Sequence, residues 1–126
     1  MNTSKTFDRQ TAGTLLVLGP DEIDRQSWKA APGCSGVRVT EVWRSGDIHD
    51  ALISYEPGAE TPGHPHPRAH HHIWVISGSA TVAGRRVLAG SYMHVPPGTA
   101  HRINQVGPAG CVLLQMHRSV QTPAQP

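Results

Sequence analysis

Glycine and proline interrupt this chain about every ten residues, and that spacing keeps every regular element short. The breaks fall at Gly19-Pro20, 32–36, 45–47, Pro57-Gly58, Ser77-Gly78, Gly84-Arg85, Ala89-Gly90, 96–98 and 107–110. Proline fixes φ and donates no backbone hydrogen bond, while glycine enters turn conformations closed to other residues. The 13 Gly and 11 Pro in 126 residues therefore favour strands and turns over long helices. Strands are expected at 14–18, 37–43, 50–55, 71–76, 79–83, 87–88, 92–95, 101–103 and 111–116. Residues 37–43 show the pattern best: Val37 and Val39 alternate with Arg38 and Thr40 before Val42 breaks the period. Residues 21–31 read as one helical turn or a loop that carries Trp28. About nine short strands without a 3.6-residue period predict an all-β antiparallel sandwich or barrel.

The length is that of one domain, with a core over about 12–118 and loose ends at 1–11 and 119–126. The formal charge is +2 with neutral histidines, and only Arg85-Arg86 are adjacent cations, so nothing points to nucleic acid. Apolar runs of about six residues are too short to span a membrane, and the polar N-terminus predicts no signal peptide. Cys34 and Cys111 have no CxxC spacing and read as a loop thiol and a core thiol. A cytoplasmic location follows by default.

Five of the nine histidines fall between His64 and His72. His64 and His66 are one residue apart, so in extended chain both imidazoles share a face and can address one ion at about 2.0–2.2 Å. Pro65 and Pro67 stiffen that segment. In the run His70-His71-His72, alternation lets either His71 point inward or His70 and His72. With His71 inward, Ile73 and Val75 share its face, while Trp74 and Ile76 make the other face apolar too. His101 follows the Pro96-Pro97-Gly98 turn and is the natural fourth ligand at a barrel mouth. His49, His94 and His117 read as ordinary strand or solvent-facing residues. Arg44, Gln115 and Met116 are weaker candidates for a pocket wall.

These two stretches resemble the cupin superfamily. Its first motif runs Gly, five residues, His-x-His, three or four residues, Glu, six residues, Gly. Here it reads Gly58, five residues, His64-Pro65-His66, four residues, His71, six residues, Gly78. The second motif reads Gly90, five residues, Pro96-Pro97-Gly98, two residues, His101, two residues, Asn104, with the last gap one residue short. The resemblance implies an antiparallel double-stranded β-helix, or jelly roll, and a metal site of His64, His66, His71 and His101. His71 stands where the family usually has glutamate, and neither Glu56 nor Glu60 fits that position.

The resemblance further implies a small single-domain cupin with one divalent transition metal: Mn, Fe, Ni, Cu or Zn. Four neutral imidazoles leave the ion its full charge, which favours an anionic or chelating small molecule and the lower oxidation state. The expected activity is an oxidoreductase of dioxygenase type. The general base falls to Tyr55, a histidine or a hydroxide at the site. A ligand-binding or regulatory module without turnover is the other reading. A third, from 68–69 and 75–80, is a sugar or sugar-phosphate isomerase. Cupins commonly form homodimers, and the N-terminal arm before 14–18 could extend a partner's sheet.

Overall fold

The computed structural model describes residues 14–63 and 66–120. After a short helix, α1 (Pro20–Asp24), the described chain is almost entirely antiparallel strand and turn. Pro20 starts α1, and the Glu22 carboxylate reaches back to accept from the Gly19 N–H at 2.9 Å. The strands are β1 (Lys29–Ala30), β2 (Val37–Ser45), β3 (Ile48–Tyr55), β4 (Ala69–Val82), β5 (Arg85–Leu88), β6 (Tyr92–Val95), β7 (Ile103–Asn104) and β8 (Cys111–Ser119). Their order is β1-β2-β3-β8-β4-β5, with β6 and β7 also paired to β4. This is the cupin double-stranded β-helix.

Long β4 serves two sheets. Its first half pairs with β8 and β6, and its second half with β5 and β7. The change falls at a bulge between Val75 and Ser77, followed by Gly78 at φ +77°. Two strands separated by Ser77-Gly78 were expected, and here the chain bends without ending the strand. Gly78 permits this because a Cβ there would run into the Gly110 carbonyl, which accepts from the Ser79 N–H at 3.1 Å.

The barrel core lies between the sheets. Ile73 and Val75 are fully buried, and Leu113 and Cys111 are 1% exposed. Each such aliphatic side chain contributes roughly 1.5–3 kcal/mol by leaving water. Trp74 and Ile76, on the opposite face of β4, are 47% and 48% exposed. The expected inward register of His71 therefore holds.

Two further expectations change. Residues 14–18 form no strand, and Leu15 and Val17 lie in solvent at 87% and 72% exposure. The free side of β2 is instead taken by β1, which sequence reading did not anticipate. At the other end, β8 runs through Ser119, and the Val120 N–H donates to the Arg68 carbonyl at 2.7 Å. The remainder of the two expected loose ends lies outside the described residues.

Candidate metal centre

Strand register brings one row of side chains across the barrel. Arg44 pairs with His49, His49 with His117, His117 with His71, and His71 with Val95. A bulge between Glu41 and Trp43 turns Arg44 to the same side as Glu41. There Arg44 Nη2 donates to Glu41 Oε1 at 2.8 Å, and Arg44 Nε donates to both carboxylate oxygens at 3.0 and 3.1 Å.

Two loops close over this row. The His66 carbonyl accepts from the Gly98 N–H at 3.2 Å, tying the histidine loop to the turn before His101. Gly63 lies against the His101 backbone, and a Cβ on it would stand 3.1 Å from the His101 carbonyl carbon. The rings of His66 and His71 stand 4.2 Å apart between centroids, His66 and His101 6.2 Å, and His71 and His101 5.8 Å. Three of the four expected ligands are thus together, from a loop, a strand and a turn. His64 lies outside the described residues.

Two histidines that the motifs omit share the cluster. His71 Nε2 and His117 Nδ1 are 2.8 Å apart and hydrogen-bonded. His49 stacks on His117 at 4.5 Å with 11° between ring planes. His49 Nδ1 stands 4.0 Å from Glu41 Oε1, beyond hydrogen-bonding reach. The ordinary roles expected for His49 and His117 are corrected accordingly. Alternation could have found them. Cys111, Leu113, Gln115 and His117 share one face of β8, and Tyr55, Ile53, Ala51 and His49 share one face of β3.

His70, His72 and His94 make a separate row on the outer face. His70 Nδ1 bonds His94 Nε2 at 2.8 Å, and His72 Nδ1 shares a hydrogen bond with the Tyr92 hydroxyl at 2.6 Å. These rings lie within 15–16° of parallel, so their nitrogens address one another rather than one point.

Tyr55 is not brought to the cluster. It is 4% exposed, and it ends β3 six residues beyond His49, roughly 20 Å along the strand. Burial pushes its hydroxyl well above the usual range, assisted by Cys111 and Cys34. Glu60 bonds Arg102 Nη2 at 2.6 Å instead of replacing the missing glutamate.

Burial holds the His71 imidazole down to about 3, with help from His66, His117, His101 and His49. Burial also lowers His117, next aided by Arg44, and His49, next aided by His117 and Arg44. All three are neutral near pH 7, with lone pairs available. His71 is 2% exposed, yet its Nδ1 has no hydrogen-bond partner. Imidazoles sharing one ion at about 2.1 Å have centroids roughly 4 to 6.5 Å apart, which the three expected rings satisfy. Neutral imidazoles and an orphaned buried nitrogen fit a divalent transition metal. Among the described residues alone, no three His, Cys, Asp or Glu side chains are grouped so as to hold a metal ion, and the expected set includes His64, which lies outside them.

Two recesses of about 550 Å³ each adjoin the cluster. One is polar and lined by Arg44, Asp47, His49, His66, Arg68 and His117. The other is mainly apolar, with Val82, Val87, Met93 and Val95 leading to His101.

A two-sheet antiparallel barrel whose mouth gathers histidines from two separated motifs is that of a cupin. Within the superfamily, the chain belongs to the ChrR cupin-like domain family, whose model matches residues 21–121. No curated protein matches it in sequence. Among solved structures, the polyketide cyclase RemF from Streptomyces resistomycificus is similar at 20% identity and TM-score 0.66, over 82% of this chain and 85% of that one. A predicted oxalate decarboxylase from Thermotoga maritima is similar at 15% identity and TM-score 0.71, over 83% and 100%. The complex of Rhodobacter sphaeroides SigE with the anti-sigma ChrR is similar at 20% identity and TM-score 0.65, over 75% of this chain and 50% of the matched chain. At these identities the likeness establishes the fold. No helix among the described residues is long and apolar enough to cross a membrane.

Proposed function

We propose that the chain is a mononuclear metal-dependent cupin, an oxidoreductase of dioxygenase type acting on a small chelating substrate. One divalent transition metal (Mn, Fe, Ni, Cu or Zn) would be held by His64, His66, His71 and His101. The observation that carries this reading is the meeting of the His66, His71 and His101 rings at the barrel mouth, beside an open polar recess. When bound, the ion supplies Lewis acidity and a seat for the chelating groups.

The protein's own residues supply the rest. Arg44 and Arg68 in the recess favour an anionic substrate group, though Glu41 neutralises part of the Arg44 charge. Ile73 and Val95, both buried, keep water from the inner side of the site. No carboxylate takes the missing glutamate's position, so His49, outside the expected ligand set, is the recess imidazole left to accept a proton. Oxygen consumption by metal-loaded protein, measured across diketones and catechol-like compounds, tests the activity. Turnover of one such substrate is expected, and full activity in metal-stripped protein would overturn the reading.

The family match favours a second reading, a ligand-binding or regulatory module without turnover. Tight metal retention with no reaction across that panel would select it. We further propose a cytoplasmic homodimer joined through the outer face of β4 and β6, where Trp74, Ile76 and Tyr92 are exposed together. Light scattering should then give twice the 13.6 kDa chain mass.

A further inference from the structure

We propose that His117 is a positioning residue: by accepting a hydrogen bond from His71 Nε2–H, it fixes the tautomer in which His71 offers Nδ1 to the ion. This rests on the metal-centre reading above and assigns a role to a histidine outside both motifs.

The two ring nitrogens of His71 differ in their surroundings. Nε2 is already engaged, 2.8 Å from His117 Nδ1. Nδ1 is buried and has no hydrogen-bond partner. One proton lies between the rings, and either ring can own it. If His117 donated it, neutral His71 would carry its proton on Nδ1, leaving a buried N–H without an acceptor. Orphaned buried N–H groups are rarer than under-used acceptors. If His71 donates through Nε2, its Nδ1 keeps a bare lone pair, which a cation satisfies. Metal-bound histidines commonly work this way, with one nitrogen on the ion and the other N–H held by a fixed acceptor.

The acceptor is itself held in place. His117 sits directly opposite His71 in the β4–β8 pairing. Its ring lies flat on His49 at 4.5 Å, and His49 is paired in turn with Arg44, which Glu41 clamps. His117 cannot tilt away from His71 without parting from that stack. Usually a carboxylate or a backbone carbonyl performs this duty; here a neutral imidazole does, so the support adds no negative charge.

The test uses the full chain. In metal-free parent protein, long-range proton–nitrogen NMR should find His71 protonated at Nε2. His71 protonated at Nδ1 overturns the proposal, whatever the variants do. Titration with Co²⁺ provides the second arm. His117→Leu should weaken binding by about 10- to 100-fold while keeping the parent's cobalt absorption bands, because the ligand count is unchanged. His117→Gln, whose amide oxygen can accept the same bond, should recover most of that loss. Affinity within twofold of the parent in His117→Leu would make His117 a packing residue only. Altered cobalt bands without rescue by His117→Gln would make it a ligand and overturn the positioning role. If the parent itself binds no cobalt, the metal-centre reading fails, which is a separate result.

Discussion

His66 and His71 stand with their ring centroids 4.2 Å apart, although one sits on a loop and the other in the buried middle of the barrel wall. The loop reaches that position because Gly98 donates to the His66 carbonyl and Gly63 packs against the His101 backbone. His101 completes the arrangement from the second motif. Replacing it with alanine should therefore weaken divalent metal binding by about 100-fold or more, beyond the usual cost of losing a supporting residue. His94→Ala, in the outer row, should leave affinity within about twofold. Competition with a chromophoric chelator measures both, and equal losses in the two variants would contradict the division into inner and outer rows.

Much of this was legible in the residues, and the gaps have physical causes. The places of His66 and His101 follow from motif spacing and turn chemistry, which are local; alternation leaves either His71 or the His70 and His72 pair inward, and the cupin resemblance selects His71. His49 and His117 are set by topology. Alternation gives each its face of the strand, but no motif marks them, and they meet the cluster only because β8 lies between β3 and β4. Residues 14–18 misled in the opposite way. Their composition suits a strand, but β1 occupies the available side of β2. Ser77-Gly78 looked like a strand end because a bulge and a turn use the same residues.

Acid should destabilise the metal-free protein. The ordinary histidine value is 6.5, and burial holds folded His71 to about 3. Between those values the unfolded chain binds a proton that the folded chain refuses, so stability rises with pH across the window and falls on acidification. His71 alone should remove about 2 kcal/mol between pH 7 and pH 5, with His49 and His117 acting in the same direction. Urea unfolding at the two pH values checks the sign. Stability that is flat or higher at pH 5 would contradict it.

Tyr55 tests whether the far end of the barrel takes part in chemistry. Its buried hydroxyl lies beside Thr61, Cys111 and Cys34. Tyr55→Phe should cost about 1 kcal/mol in stability and leave metal affinity and any oxygen-consuming activity unchanged. Loss of activity with metal binding intact would restore the catalytic role that sequence reading assigned to it.

Gly78 tests the bend in β4. It combines φ +77° with the close approach of the Gly110 carbonyl. Gly78→Ala should destabilise the fold by roughly 3–4 kcal/mol, through left-handed strain plus overpacking. Ala83 already carries positive φ on an exposed turn, so Gly84→Ala, with open space around its position, should cost distinctly less. Thermal unfolding of the two variants side by side decides this, and similar melting temperatures would contradict it.

The central claim is that buried His71, standing where a cupin glutamate usually stands, binds the metal. The direct measurement is metal analysis of freshly purified parent and His71→Ala, followed by chelator competition on both. The parent should retain close to one equivalent of a divalent transition metal, and His71→Ala should lose it, with affinity reduced by about 100-fold or more. A variant that binds the ion as tightly as the parent would contradict the claim.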